Sequence, residues 1–191
     1  LVIVYAPNED DTAENKTQFY ETLQRSIEEQ ERDILILGDL NARVGKNSEE
    51  WDGVIGKAGE EVLNNNGERL LNLCLMNNLV ILNTMFIHRD IHKYTRVEPR
   101  KGERSIIDYI IVQRGKKKFV RDSRVKRGPE LGSDHKLLIE VVNNNTQETS
   151  QQQLKRRKAR GKDNNKGERK IRIYKLKEKD IQETFQRKVD E

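Results

Sequence analysis

Apolar residues open the chain as an unbroken run, Leu1-Val2-Ile3-Val4-Tyr5, which stops at Ala6-Pro7-Asn8 and so reads as a buried strand ending in a loop. Phe19, Leu23 and Ile27 then recur at i, i+4 and i+8 among Glu, Gln and Arg, which predicts an amphipathic helix over about residues 13–31. The short apolar run Asp33-Ile34-Leu35-Ile36-Leu37 follows at once and is closed by Gly38-Asp39-Leu40-Asn41. A helix followed directly by a fully buried strand is an α/β signature.

Residues 43–66 are rich in Gly, Asn and Glu and read as one long loop, a length at which functional loops outnumber idle ones. Leu70, Leu71, Leu73, Cys74 and Met76 restore a helical pattern from Glu68, stopped at Asn77-Asn78, and Leu79-Val80-Ile81-Leu82 is then a strand. From Tyr94 the texture turns to β: Ile106 to Val112, a basic segment near 118–126, and Leu137 to Val142. The links between these last strands are too short for helices, so antiparallel pairing is expected.

After Val142 the chain is polar and basic through about residue 170, with too little apolar surface to offset its chain entropy. The expected organisation is a folded domain over 1–142, a basic disordered linker over 143–177, and a short helix over 178–191 carrying Ile181, Phe185 and Val189. No methionine begins the chain, and a protein opening in mid-strand reads as a fragment of something longer. Strands missing from such a fragment leave sheet exposed to solvent.

Composition narrows the function classes. Only 34% of residues are hydrophobic and 36% are charged, against about 25% charged in an average globular protein. No run approaches the roughly 18 consecutive apolar residues of a membrane helix, so a membrane partner is set aside. The single cysteine, Cys74, lies in an apolar stretch and reads as a core thiol in a reducing, intracellular setting, nuclear or cytoplasmic. Lys155-Arg156-Arg157-Lys158-Ala159-Arg160 fits a nuclear-import signal or a solvated linker equally well.

The net charge of +5 conceals a segregation: residues 1–88 hold 7 Lys/Arg against 16 Asp/Glu, whereas residues 89–136 hold 15 against 7. The basic half suits a polyanion such as DNA or a simply solvated surface.

Three polar clusters stand at the margins of the predicted strands: Gly38-Asp39-Leu40-Asn41, Ser105-Ile106-Ile107-Asp108-Tyr109 and Gly132-Ser133-Asp134-His135. Singly, each has an ordinary explanation: a Gly-Asp turn, a structural ion pair for Asp108, a satisfied structural histidine. Asp108 is the sharpest, since a carboxylate flanked by Ile106, Ile107, Ile110 and Ile111 needs a partner. His88 and His92 lie at i and i+4 without a metal-site motif and read as loop residues. Together, Asp39, Asn41, Asp108, Asp134 and His135 suit phosphodiester hydrolysis. Carboxylates hold a hard divalent cation, an Asp/Asn pair orients water, and an imidazole stabilises charge.

Taken in order, Val4-Tyr5-Ala6-Pro7-Asn8, Gly38-Asp39-Leu40-Asn41, Tyr94-Thr95, Arg104-Ser105-Ile106-Ile107-Asp108-Tyr109 and Ser133-Asp134-His135 resemble the C-terminal two-thirds of the endonuclease/exonuclease/phosphatase superfamily. The nearest branch is the apurinic-like endonuclease domain of non-long-terminal-repeat retrotransposons, with its craniofacial-development-protein-2-like members. The resemblance covers residues 1–142. It implies an α/β (α+β) four-layer sandwich of two mixed β-sheets flanked by helices, incomplete at the N-terminus. It further implies Mg2+, or Mn2+ in its place, and DNA nicking that leaves a 3′-hydroxyl.

By the same resemblance, Tyr5 contacts the scissile phosphate, Asp39 and Asn41 handle the attacking water, and Asp108 pairs with the catalytic His135. Asp134 then lies near the metal, with Thr95 and Ser133 on the substrate side. The tail from Tyr174 resembles a connector toward a reverse transcriptase. The sequence departs from the pattern in two ways. The asparagine and metal-binding glutamate that precede the Tyr5 strand in the superfamily have no counterpart here, since Glu9, Asp10 and Asp11 follow that strand. Arg96 also stands where many relatives place an aromatic residue. A catalytically inactive nucleic-acid-binding remnant and a phosphatase of the same fold are the rival readings.

Overall fold

The computed structural model describes residues 1–30, 33–98, 100, 102–128 and 132–143. The expected linker at 143–177 falls outside them except for Asn143, and the expected helix at 178–191 lies wholly outside. Leu1–Asn144 make up one compact unit.

Ten regular elements build it. β1 (Val2–Tyr5) leads through α1 (Ala13–Glu28) to β2 (Leu35–Asp39), and α2 (Asn65–Met76) leads to β3 (Leu79–Ile81). The small strands β4 (Arg96–Val97) and β5 (Arg104–Ser105) precede β6 (Asp108–Gln113), β7 (Val120–Lys126) and β8 (Leu137–Val142). The main sheet has the order β1-β2-β6-β3, with β1 parallel to β2 and β6 antiparallel to both β2 and β3. β7 and β8 form an antiparallel pair, as do β4 and β5.

The antiparallel pairing expected among the last strands is therefore divided. β7 pairs with β8, while β6 inserts into the main sheet, and the 3-10 turn Arg114–Phe119 carries the chain from one sheet to the other. The physical reason lies in β6 itself. Tyr109-Ile110-Ile111-Val112 is buried residue by residue, which only a central strand covered on both faces achieves.

Alternation along the strands separates two packing faces. Ile36, Tyr109, Ile111, Leu79 and Ile81 pack with Tyr20 and Leu23 of α1 and Leu70, Leu71 and Cys74 of α2. Val80, Ile110 and Val112 face the other way, with Leu35 and Leu37, onto Val120 of β7 and Leu138 of β8. Helices, mixed sheet and second sheet are thus three layers supplied by the described residues. β1 is an edge of the main sheet among the described residues, and its Ile3 and Tyr5, with Leu1 just before it, are 73–75% exposed.

Two boundaries differ from the expectation for clear local reasons. β2 runs on through Gly38-Asp39 because both residues still pair with β1 and β6. Gly38 has φ +146, and a Cβ there would collide with the Val4 carbonyl across the strand pair. α2 begins at Asn65, three residues before the apolar pattern does. Asn64 caps it through Oδ1 to the Gly67 N–H at 2.7 Å, and the Glu9 carboxylate takes the Asn65 and Asn66 N–H groups at 3.0 Å. Lys16 bonds back to the Glu9 carbonyl. Glu9 is therefore occupied as a remote helix cap.

Candidate active site

The register of the main sheet sets Tyr5, Asp39 and Asp108 in one row, Tyr5 opposite Asp39 and Asp39 opposite Asp108. Asp39 continues the stripe of Leu35 and Leu37, and Asp108 that of Ile110 and Val112. Both carboxylates therefore stand on the face covered by β7 and β8, just past where the apolar contact ends. His135 precedes β8 and reaches the row from the second sheet. Its Nδ1 lies 3.0 Å from Asp108 Oδ2 and 3.1 Å from Oδ1, and its Nε2 lies 3.8 Å from Asp39 Oδ2.

The backbone under each carboxylate is braced. Thr95 Oγ1 accepts the N–H groups of Ile107 and Asp108 at 3.0 and 3.1 Å, and Asn83 Nδ2 donates to the Asp108 carbonyl at 3.1 Å. Beneath them Glu60, only 4% exposed, accepts the Ile106 N–H at 2.9 Å and pairs with Arg43. On the other strand, Asn41 takes φ +44, which turns its N–H back to Asp39 Oδ1 at 2.9 Å. Its own side chain donates to the Ala6 carbonyl at 2.9 Å. Asn66 is fully buried, and its amide bridges the carbonyls of Pro7 and Asn41 at 2.9 and 3.2 Å.

Burial pushes the Asp39 carboxyl above the ordinary carboxylate value, and the Asp108 charge adds to the rise. The Asn41 N–H, His135 and Arg96 oppose it without cancelling it. Asp134 is held low, chiefly by its hydrogen bond from Arg96, whose Nε lies 2.6 Å from Asp134 Oδ2.

The structure thus brings Asp39, Asn41, Asp108 and His135 together, with Tyr5 in the same row but 73% exposed. Three other expected residues differ in setting. Thr95, expected to meet substrate, is fully buried with its hydroxyl accepting two backbone N–H groups, so it braces Asp108 from below. Ser133 is exposed, and its Oγ accepts the His135 N–H at 3.1 Å, fixing the turn that aims the histidine. Asp134, expected near the metal, is turned to Arg96. The side chains that converge as potential metal ligands are Asp39, Asp108 and His135, with ligand atoms within 4.8 Å of one another.

Sequence reading missed Asn66, Asn83, Glu60 and Arg43, all held by contacts distant in sequence. The Asn64-Asn65-Asn66-Gly67 run looked like loop chemistry. Its only available signal was the spacing from Asn64 to Gly67 at a helix start.

A cavity of about 280 Å3 opens beside the cluster, lined by Asn8, Asn41, Arg43, Arg96, Arg104 and Ser105 among others. The basic segment divides around it. Lys126, paired with Leu137 in the second sheet, lies toward the His135 end. Lys116 and Lys117 follow the opposite end of β6, roughly 17–20 Å from Asp108 at strand rise. Several of these cations are matched locally: Lys116 by Asp33, Arg114 by Asp52 and Arg124 by Asp122. The Cys74 thiol is fully buried and pushed far up by that burial, so it is an inert core group.

In fold the chain resembles the Neisseria 3′ phosphatase NExo bound to a product DNA hairpin. The TM-score is 0.54 at 21% identity, over 74% of this chain and 60% of that one. It likewise resembles the 3′-5′ exonuclease NExo from Neisseria meningitidis, at TM-score 0.53 and 22% identity over the same shares. In sequence it is 39% identical to craniofacial development protein 2 of Bos taurus and 38% identical to that of Tragulus javanicus, each over 141 residues. Those matches cover 73% of this chain and 24% of each relative, so the chain spans about a quarter of their length. A family model described as endonuclease-reverse transcriptase matches residues 1–139. Fold, ordered motifs and this match agree: the chain belongs to the endonuclease-reverse transcriptase family of the endonuclease/exonuclease/phosphatase superfamily.

Proposed function

We propose that this domain is a divalent-metal-dependent DNA endonuclease of retrotransposon type, hydrolysing one phosphodiester to leave a 3′-hydroxyl. The observation that carries the reading is the imidazole of His135 set between Asp108 and Asp39. Acceptance by Asp108 assigns the proton to Nδ1 and turns the Nε2 edge toward Asp39. At 3.8 Å, Nε2 and Asp39 Oδ2 do not hydrogen-bond each other, which leaves both atoms available to water or phosphate.

Asp39, with Oδ1 held by the Asn41 N–H at 2.9 Å, is the group suited to orient the attacking water. His135, held in place by Asp108, stabilises charge gathering on the phosphate. Tyr5, exposed at the end of the row, would meet the phosphate from the β1 side. The two carboxylates stand side by side with Asp39 already costly to ionise, a donor set that fits a hard cation such as Mg2+ or Mn2+ held by Asp39 and Asp108. Such a cation, when bound, supplies positive charge at the phosphate.

The neighbour described as a 3′ phosphatase supports DNA ends as a second substrate type on this fold. The test is conversion of supercoiled plasmid to open circle in Mg2+ by the wild type and by Asp108→Ala. Nicking lost in the variant supports the reading, and an unchanged rate overturns the mechanism. Steep salt-dependent DNA binding with no metal-dependent nicking would favour the inactive remnant instead.

A further inference from the structure

Arg96 stands where many relatives place an aromatic residue, Asp134 is expected beside a metal, and the fold joins the two. Arg96 lies in β4, paired with Ser105 of β5, and forms an isolated β-bridge with His135 on its other side. The Val97 N–H donates to the Asp134 carbonyl at 2.9 Å, and the Lys136 N–H to the Thr95 carbonyl at 2.7 Å. The Arg96 backbone is therefore fixed against the segment that carries the histidine.

Its side chain is fixed as well. Nε donates to Asp134 Oδ2 at 2.6 Å, and NH2 reaches Glu98 Oε2 at the long distance of 3.5 Å. The NH1 end makes no hydrogen bond among the described residues. The side chain is 41% exposed and lines the cavity shared with Asn41 and Arg43.

We propose that Arg96 is a phosphate-binding residue of this site and that Asp134 positions it rather than ligating a metal. The proposal rests on the nuclease reading and deepens it. A guanidinium is planar and presents its remaining donors as a fork that matches two phosphate oxygens. Holding the Nε side on Asp134 removes rotamer freedom before substrate arrives, so less is lost on binding. A carboxylate already engaged at 2.6 Å by a permanent cation is a poor ligand for a second one, and the converging set of Asp39, Asp108 and His135 does not include it. The acids around Arg96, namely Asp134, Glu98, Glu103 and Asp39, restrain its net field, so its contribution is a directed contact more than long-range attraction.

The test is metal-free equilibrium binding of a short fluorescent DNA duplex to the full chain across a KCl series. The variants are Arg96→Gln, Arg96→Lys, Asp134→Ala and the double Arg96→Gln/Asp134→Ala. Arg96→Gln is expected to weaken binding about fivefold and to lower the salt slope by about one. Arg96→Lys, which keeps the charge and loses the fork, should keep the slope and still bind more weakly. Asp134→Ala should weaken binding as Arg96→Gln does, with the double variant no worse than either, and the Mg2+ concentration for half-maximal nicking should not move.

A slope unchanged in Arg96→Gln overturns the proposal, as does tighter binding by Asp134→Ala, the result expected when a mere surface negative charge is removed. A raised Mg2+ requirement in Asp134→Ala returns that residue to the metal. Wild-type chain without salt-dependent DNA binding overturns the nuclease reading and this proposal together, whereas a wild-type slope that Arg96→Gln leaves intact overturns this proposal alone.

Discussion

His135 Nδ1 lies 3.0 Å from Asp108 Oδ2, so a residue two positions before β8 is clamped by the first residue of β6 and the two sheets meet at this contact. Asp108→Asn keeps the shape and offers an amide that can donate to the ring, so the Nδ1 proton is no longer assigned. We expect nicking to fall by about 10²–10⁴-fold in kcat with little change in KM, the scale of a lost acid–base arrangement. His135→Ala should cost a similar factor, and the double variant should be no worse than either alone. Independent, multiplying losses in single-turnover nicking would show that the pair does not act as a unit.

Asp39 is a strained member of the row. Its folded carboxyl holds its proton more tightly than the unfolded chain does, so ionising it costs stability. That contribution is intact below the ordinary value of 3.8 and is lost as pH rises through the higher folded-state value. Asp39→Asn removes the ionisation while keeping an acceptor for the Asn41 N–H. In EDTA the variant should melt no lower than wild type at neutral pH, and the difference between them should shrink on acidification toward pH 4; in Mg2+ its nicking should be abolished. A variant clearly less stable at pH 7 would contradict the assignment.

Thr95 makes a different kind of prediction, about stability more than chemistry. Thr95→Val keeps the volume but leaves the Ile107 and Asp108 N–H groups without a side-chain acceptor in a fully buried site. Urea unfolding should show a loss of about 2–4 kcal/mol, and Thr95→Ser should recover most of it. Equal stability of wild type and Thr95→Val would mean that these N–H groups find another partner.

The elements that dominate local packing were legible in the sequence, and the tertiary ones were not. Phe19, Leu23 and Ile27 announced α1, and the isoleucines around Asp108 announced both a buried strand and the need for a partner, which His135 supplies. The place of β6 between β2 and β3 was not legible, because an apolar run carries no information about which neighbour completes its hydrogen bonds. Nor could the sequence distinguish a threonine whose hydroxyl reaches substrate from one whose hydroxyl holds two buried N–H groups. Arg96 was visible as an exception, but its partner depended on Asp134 folding back from 38 residues away.

Asn66 joins the Tyr5 loop to the Asp39 turn. Its amide bridges the carbonyls of Pro7 and Asn41 from the first turn of α2, and the Tyr20 hydroxyl donates to its own carbonyl at 2.9 Å. The network ties α1, α2 and the ends of β1 and β2 into one support for the water-handling pair. Asn66→Ala takes a donor from two part-buried carbonyls, those of Pro7 and Asn41, and about 1–3 kcal/mol of stability should be lost. Because Asn41 is also held by Asn64 at 3.3 Å, the turn should loosen without unfolding. At a temperature where the variant is fully folded, kcat should therefore fall by more than KM rises, and added Mg2+ should not restore it. Activity matching wild type under those conditions would reduce Asn66 to a scaffold residue with no influence on the reacting end of the sheet.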